Sequence, residues 1–345
     1  IGTITANAVL GNCGTIDVSN SKSLNIGNIT TNQTSTTTSF SIPAFSVTNC
    51  DTIKFTGYTA TMAFATSAGT VGGINISNDN QDILFTGVVA IQGFTNITLA
   101  TSDVVVSNII LNNTIFNGNF HVNSRDIVST ISQTGGVINN VNINNCKFNG
   151  ARNRIFYNAT TNSLITASYS LKNCQFNNVA STGGLYSFIY NTTFTNLKIE
   201  DCFVISTAIG IAIDNSTSPA PLLTTNPLII KGIIGVGNLL VNVVQDDLGF
   251  DEVIITDVNV SKLETNLTDG DATFNIKNCS SDLFLINSQS AGLIKRSKYT
   301  NCDGNIESDG NVLLTISSSS LVFINVASNF NVIAYTSTVN FYALG

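Results

Sequence analysis

The stretch of sequence that decides the fold reads Val141-Asn142-Ile143-Asn144-Asn145-Cys146-Lys147-Phe148. Apolar and polar residues alternate on both sides of Asn145, which is the period of a β-strand. The phrase returns at 171–176, 197–204 and 274–279, and its cysteines Cys146, Cys174 and Cys202 follow one another at a spacing of 28 residues. A fixed period of this length predicts a solenoid of stacked β-coils.

The Asn of the phrase interrupts the alternation. Cys146 can face the same side as Ile143 only if Asn145 adopts a left-handed conformation, which Asn and Asp tolerate better than other non-glycine residues. We therefore predict a buried corner at which these side chains hydrogen-bond from coil to coil. The predicted ladder consists of Asn12, Asn49, Asn145, Asn173, Asp201, Asn278 and Asn301, with Cys146, Cys174, Cys202 and Cys279 stacked beside it.

An Asn and Cys corner ladder is typical of an all-β, right-handed parallel β-helix. We expect about a dozen coils of roughly 23 to 28 residues and a rod about 60 Å long. Residues 1–345 should form a single domain, because each coil packs only on its neighbours. Residues 1–80 look less regular, since Cys13 and Cys50 are 37 residues apart, and they are interpreted as a cap or docking element.

The composition restricts the partners. Charged residues make up 10% of the chain, the formal net charge is -7, and there are 14 Lys and Arg. We expect no nucleic-acid partner, because phosphate binding needs a basic stripe. The most apolar stretch, 229–244, is interrupted by Lys231, Asn238 and Asn242, so no membrane-spanning segment is predicted.

The chain contains eleven Asn-x-Ser/Thr sequons, a number that its Asn, Ser and Thr content explains by chance. Several nevertheless lie in segments that resemble loops, such as 158–163 and 214–227. We predict N-glycans on Asn28, Asn32, Asn75, Asn96, Asn112, Asn158, Asn191, Asn215, Asn259 and Asn266. Asn278 is excluded as a corner residue. Because the chain starts at Ile1, it is interpreted as a processed form or a fragment from which any signal peptide is already removed. The placement of the sequons favours a secreted or cell-surface protein.

The seven cysteines are interpreted as a buried stack of free thiols. A zinc site is not expected, because the chain has no Cys-x-x-Cys pair and only one histidine, His121. Disulfides between adjacent coils are the alternative, but parallel side chains in a stack do not naturally offer the required dihedral angle.

Two segments carry a family resemblance: Asn173-Cys174-Gln175-Phe176-Asn177-Asn178-Val179-Ala180-Ser181-Thr182-Gly183-Gly184-Leu185 and Gly135-Gly136-Val137-Ile138. They resemble repeats of the polymorphic-membrane-protein type, in which a Cys-x-Phe-x-Asn phrase is followed by Gly-Gly and an apolar residue. The resemblance covers about residues 135–206, and Gly-Gly is absent from most coils. It implies a surface-displayed adhesive or structural β-helix.

The alternative function is a polysaccharide lyase, a glycoside hydrolase or a carbohydrate-binding module, because β-helices also serve those roles. A pair of catalytic carboxylates could come from Asp246, Asp247, Asp251 and Glu252. Such an acidic turn is more commonly a solvated loop, and His121 does not lie in a Gly-His-Gly motif. No catalytic residue is therefore assigned.

A calcium site is the one cofactor that the sequence suggests. Asp303, Asn305, Glu307 and Asp309 place oxygen ligands at alternate positions, as calcium loops do. The segment lacks the glycine at the sixth place and a terminal Glu, so a solvated turn is the alternative. We predict no other metal and no cofactor.

The two ends of the predicted rod complete the functional hypothesis. Residues 1–6, 332–335 and 339–342 resemble strands with no amphipathic helix to cover them. Open strand edges pair readily with another chain. We therefore predict a structural or adhesive glycoprotein, without catalytic activity, that stacks head to tail into a filament and contacts surface glycans or receptors.

Overall fold

The structure is a computed structural model of the 345-residue chain. It describes residues 4–8, 16–20, 22–27, 29–35, 41–42, 45–48, 50–56, 59–64, 70–71, 74–77, 82–86, 90–93, 97–102, 105–118, 126–133, 137–149, 154–158, 167–177, 189–190, 194–205, 208–214, 228–245, 252–267, 273–288, 295–309, 312–326 and 330–342. All regular secondary structure in these residues is β-strand.

The strands of the first half are β1 (Ile4–Ala8), β2 (Ile16–Ser19), β3 (Ser23–Gly27), β4 (Ile29–Ser35), β5 (Ser41–Ile42), β6 (Phe45–Thr48), β7 (Thr52–Thr56), β8 (Thr59–Phe64), β9 (Thr70–Val71), β10 (Ile74–Ser77), β11 (Asp82–Thr86), β12 (Ala90–Gly93), β13 (Ile97–Ser102), β14 (Val105–Asn112), β15 (Ile115–Gly118), β16 (Asp126–Gln133), β17 (Val137–Asn144), β18 (Lys147–Asn149) and β19 (Arg154–Asn158). Those of the second half are β20 (Ala167–Lys172), β21 (Gln175–Asn177), β22 (Ile189–Tyr190), β23 (Phe194–Glu200), β24 (Phe203–Ile205), β25 (Ala208–Asp214), β26 (Leu228–Lys231), β27 (Ile234–Gly235), β28 (Asn238–Gln245), β29 (Glu252–Thr256), β30 (Asn259–Leu267), β31 (Thr273–Lys277), β32 (Ser280–Ser288), β33 (Lys295–Thr300), β34 (Asp303–Asp309), β35 (Val312–Ser317), β36 (Ser320–Val326), β37 (Phe330–Tyr335) and β38 (Thr338–Phe341).

The strands form three faces that the chain visits in turn. Face 1 is a sheet of 13 strands in the order β3-β7-β11-β14-β17-β20-β23-β26-β29-β31-β33-β35-β37. Face 2 is the stack β1-β4-β8-β12-β15-β18-β21-β24-β27. Face 3 is the stack β2-β6-β10-β13-β16-β19-β22-β25-β28. From β30 onward one strand per coil extends across faces 2 and 3.

The predicted parallel β-helix is confirmed, because adjacent strands of the described chain run parallel and equivalent residues stack in columns. One column of face 1 occupies a single register position on all 13 strands, from Ile26 in β3 to Ala334 in β37. Its buried members include Leu111, Ile143 and Ile230. Burying such apolar columns stabilises each coil by roughly 1.5–3 kcal/mol per side chain.

The coils differ in length more than the sequence predicts. Register-equivalent residues of face 1 are 32 residues apart from Ile109 to Val141 and 17 apart from Tyr299 to Ile316. The shortest coils are those in which faces 2 and 3 merge into one strand. The described strands within residues 1–80 continue the same three stacks, with an additional pair between β5 and β9.

A left-handed residue separates face 1 from face 2 in coil after coil. These corner residues have φ between 49° and 67° and are Asn113, Asn145, Asn173, Asp201, Gly232, Asp257, Asn278, Asn301, Ser318 and Thr336. The conformation turns the next side chain inward, and the buried residues that follow are Thr114, Cys146, Cys174, Cys202, Ile233, Val258, Cys279, Cys302 and Ser319. The predicted Asn and Cys corner is therefore part of a longer corner column.

The backbone at the corner is hydrogen-bonded on both of its sides. The N–H of Asn145 donates to the carbonyl of Lys172 in the next coil at 3.0 Å, and the N–H of Gln175 donates back to the carbonyl of Cys146 at 2.9 Å. The same pair of bonds recurs along the column up to Thr338. The turn thus satisfies polar groups that would otherwise be unpaired.

We expect the corner to discriminate between side chains by backbone strain. Asn173→Val should lower the free energy of unfolding by about 1–2 kcal/mol, because a β-branched residue is disfavoured at positive φ. Asn173→Gly should stay within about 1 kcal/mol of the natural protein. Urea unfolding of both variants measures the difference, with Lys147→Val on an exposed strand position as the control. Equal losses for Val and Gly would contradict the strained corner.

Candidate functional site

Three of the corner side chains form a hydrogen-bonded ladder, which lies on the surface and not in the core. Asn278 Nδ2 donates to Asp257 Oδ1 at 3.0 Å, and Asn301 Nδ2 donates to Asn278 Oδ1 at 3.1 Å. All three side chains are exposed, so the prediction of a buried amide ladder is wrong. The reason is geometric: a left-handed residue turns its own side chain outward while the following residue turns inward.

Of the two N-terminal Asn-Cys phrases, the structure describes only Cys50. Asn12 and Asn49 lie outside the described residues. Cys50 is buried between β6 and β7, at the corner where the chain enters face 1. Cys146, by contrast, follows β17 at the corner where the chain leaves face 1. The two Asn-Cys phrases look alike in sequence but occupy opposite ends of the strand of face 1.

The described cysteines are buried and form no disulfide bond: Cys50, Cys146, Cys174, Cys202, Cys279 and Cys302. Cys146 Sγ donates to the carbonyls of Leu111 and Asn144, both at 3.4 Å. Contact with Cys174 and burial raise the pKa of Cys146. At Cys174, contact with Cys146 lowers the pKa. Contact with Cys202 and burial outweigh this effect, so that the pKa is raised to about 12. Neither of these two thiols is prepared for nucleophilic or metal-binding chemistry, because both require the thiolate.

One charged side chain lies inside the solenoid. Lys295 is fully buried, and its Nζ donates to the backbone carbonyl of Thr265 and, at 2.7 Å, to Thr265 Oγ1. The amine also sits 4.3 Å from the centre of the Phe274 ring. Burial lowers the pKa of Lys295, and Glu264 opposes that shift. The buried amine is therefore held closer to its neutral form than a surface lysine.

The predicted glycosylation sites fall in three groups. Asn28, Asn96, Asn191 and Asn215 lie outside the described residues, and Asn32, Asn75 and Asn158 lie on β4, β10 and β19. Asn259 is exposed and Asn112 is half-buried. Asn266 is only 1% exposed and its Oδ1 has no hydrogen-bond partner. The prediction of a glycan on Asn266 is wrong for this fold, because a sugar cannot occupy a buried position.

The structure describes one residue of the first acidic cluster of the sequence and all four of the second. Asp246, Asp247 and Asp251 lie outside the described residues, as does His121, and Glu252 is half-buried at the start of β29. Asp303, Asn305, Glu307 and Asp309 are alternate residues of strand β34, not of a loop. Alternate strand positions are separated by about 6.8 Å, so the predicted calcium-type turn is wrong about the local structure. The described residues contain no group of three potential metal-ligating side chains.

The register does assemble one set of charged residues that the sequence analysis missed. Six exposed cations lie on the outer surface of face 1 between β20 and β33: Lys172, Lys198, Lys231, Lys277, Arg296 and Lys298. We call this set the basic stripe. Part of the basic stripe is visible in the sequence, since Lys172, Lys231 and Lys277 each directly precede a corner residue.

Comparison with known proteins gave no match, whether with protein-family models, curated proteins or solved structures. The described part of the chain has no helix that is long and apolar enough to cross a membrane. The fold therefore defines the class of this protein, which is a parallel β-helix. The resemblance to polymorphic-membrane-protein-type repeats stays a prediction.

We expect Lys295 to make stability depend on pH. Its folded-state pKa is lowered, so the unfolded chain binds the extra proton in the window between that pKa and the ordinary pKa of about 10.4. Stability should rise with pH in this window, by at most about 1.4 kcal/mol per pH unit. Urea unfolding from about pH 6 to about pH 8, below the ordinary cysteine pKa of about 8.5, should show this rise in the natural protein and its loss in Lys295→Met.

The control for this prediction is Lys298→Met, which removes an exposed amine from the same strand and should keep the rise. The buried thiols bound the window, because contact with Cys174 and burial raise the pKa of Cys146 and its contribution to stability is lost above its ordinary pKa of about 8.5. Parallel pH profiles for the natural protein and Lys295→Met would refute the role of the buried amine.

A second prediction concerns two sequons of one strand. We expect glycopeptide mapping of protein secreted from eukaryotic cells to find sugar on Asn259 and none on Asn266, because only Asn259 is exposed. Asn278 should also be unmodified, since its amide nitrogen donates to Asp257. Glycan on Asn266 in correctly folded protein would contradict the burial of that side chain.

Proposed function

We propose that this protein is an extracellular or cell-surface structural rod with an adhesive role. The observation that carries the proposal is the unbroken column from Ile26 to Ala334, which passes through every strand of face 1. Thirteen strands at a spacing of about 4.8 Å give a rigid element roughly 60 Å long. Such an element suits the display of binding surfaces at a distance from a cell.

The surface chemistry supports this location. Charged residues are few, at 10% of the chain, so the exterior depends on amides and hydroxyls for its solubility. Asn259 offers an exposed sequon on β30, and N-glycans attach to such sites in secreted proteins. Buried thiols are compatible with this setting, since burial limits the access of oxidants to them.

Association end to end is the second part of the proposal, and it is supported by the last described coil. Among the described strands, β37 pairs only with β35 and β38 only with β36. Phe323 is 1% exposed, whereas Phe341, its register partner in the last coil, is 59% exposed. Unpaired strands with uncovered apolar side chains are a template for further parallel strands.

The occupant we propose is the first coil of a second copy. β1, β2 and β3 begin the three faces and leave one side of each first strand unpaired among the described strands. Ile26 starts the same face 1 column that Ala334 ends. Contacts of this head-to-tail kind propagate into fibres instead of closing.

The test introduces charge into the columns that a second copy would cover. Ala334→Asp/Phe341→Asp should abolish concentration-dependent growth in sedimentation velocity and end-to-end rods in negative-stain images. The matched control, Ile234→Asp/Val236→Asp, alters two exposed apolar residues on the side of the rod and should still assemble. Monodisperse single rods of the unaltered protein at high concentration would overturn the end-to-end proposal.

A further inference from the structure

We propose that the basic stripe on face 1 binds a linear acidic glycan, a chain whose sugars carry carboxylate or sulfate groups. This inference rests on the proposed surface function and gives its adhesive role a ligand class and a site. The glycan would lie along the rod axis, across the outer surface of β20 to β33.

The first argument is the separation of charge between the sides of the rod. The basic stripe has six cations, and four described carboxylates adjoin it: Glu200 and Glu252 on the same strands, and Asp201 and Asp257 at the corners that follow β23 and β29. On β30, β32 and β34, five carboxylates accompany one cation: Lys262, Glu264, Asp282, Asp303, Glu307 and Asp309. A chain of net charge -7 thus presents a positive surface on one side, which concentrates an anionic ligand there.

The second argument is the spacing of the cations. Lys172, Lys231 and Lys277 share one register column and lie on every second coil. Their backbones are therefore separated by about 10 Å. Lys198 and Lys298 lie in the neighbouring outward column, Lys198 on the coil between Lys172 and Lys231 and Lys298 on the coil after Lys277. The register position between Lys172 and Lys231 in the first column is occupied by Glu200. A flat row of this kind matches an extended polymer with an anionic group on alternate sugars.

The third argument is that these cations are available. Lys172 Nζ lies 3.9 Å from Asp201 Oδ2, and both side chains are about half exposed, so this pair contributes little. No salt bridge within the described chain involves Lys198, Lys231, Lys277, Arg296 or Lys298. A ligand can bind them without first breaking an internal ion pair.

The side chains between the cations favour a glycan over a nucleic acid. Thr256, Thr273, Asn275 and Thr300 lie on the outward side of the same strands, where their hydroxyl and amide groups can hydrogen-bond to sugar hydroxyls. The described outward positions of β20 to β33 include no aromatic side chain, whereas single-stranded nucleic acids are bound by stacking their bases on aromatic rings. The amides and hydroxyls thus complement the cations in recognising a polyhydroxylated polyanion.

The test measures binding of three oligosaccharides by titration calorimetry at low and at physiological ionic strength. The probes are a heparin oligosaccharide, a polygalacturonate oligosaccharide and neutral dextran. We expect the unaltered chain to bind at least one of the acidic probes, more weakly as salt rises, and not to bind dextran. Lys198→Gln/Lys231→Gln/Lys277→Gln should weaken binding by about fivefold or more, since three exposed ionic contacts are lost.

The matched control is Lys22→Gln/Lys54→Gln/Lys147→Gln, which changes the net charge equally but leaves the basic stripe intact. We expect its affinity to stay within about twofold of the unaltered chain. Equal weakening by both triple variants, or no binding of either acidic probe, would overturn the inference. Tighter binding of a DNA oligonucleotide than of both acidic glycans would also overturn the assignment of ligand class.

A second copy of the chain is the remaining competitor for the basic stripe, because its acidic side is complementary in charge. Lateral association that the stripe variant abolishes, without glycan binding, would overturn the inference in favour of that contact. The end-to-end function has its own readout: filaments that form but bind no glycan refute the ligand alone, and single rods that bind glycan refute the filament alone.

Discussion

The left-handed corner between faces 1 and 2 is the constraint on which the rest of the structure depends. One residue at positive φ turns its own side chain to the surface and the next side chain into the core, so that a strand of one face can continue into the next with its apolar side still inward. The backbone N–H groups on either side of the turn are paired with neighbouring coils. Because the ten coils from β14 to β37 repeat this geometry, strands of unequal coils remain in register.

The corner also explains why the inward residue that follows it is small or of moderate size. Thr114, Cys146, Val258 and Ser319 all occupy this position and are buried. The cysteines thus behave as compact core residues whose thiols bond to carbonyls of their own and neighbouring coils. Gly232 is a special case, since a Cβ there would come within 2.7 Å of Asp201 Oδ1. The inward position after the corner therefore accepts residues from serine to isoleucine, as at Ser319 and Ile233.

Several corners were not predictable from the phrase that revealed the fold. Asp257, Ser318 and Thr336 adopt the same conformation, but they are followed by Val258, Ser319 and Ser337 rather than by cysteine. The backbone requirement is for one left-handed residue, and neighbouring coils supply enough hydrogen bonds to hold a Ser or Thr there. The reverse error occurs at Cys50, where the Asn-Cys phrase is present in the sequence but lies at a different corner of the coil. Local pattern identifies a turn, but not which of several turns in a coil it forms.

The sequence by itself determined the class of fold, because alternation with period two and a recurring Asn or Asp before an inward residue are properties of the chain alone. Only the tertiary structure decided which distant residues share a surface. The alignment of Lys172, Lys231 and Lys277 in one column, and the burial of Lys295 and Asn266, depend on the lengths of all the intervening connections. Because the coils vary from 17 to 32 residues, equivalent residues do not recur at a constant spacing in the sequence. Hydrogen bonding between strands nevertheless aligns them in columns.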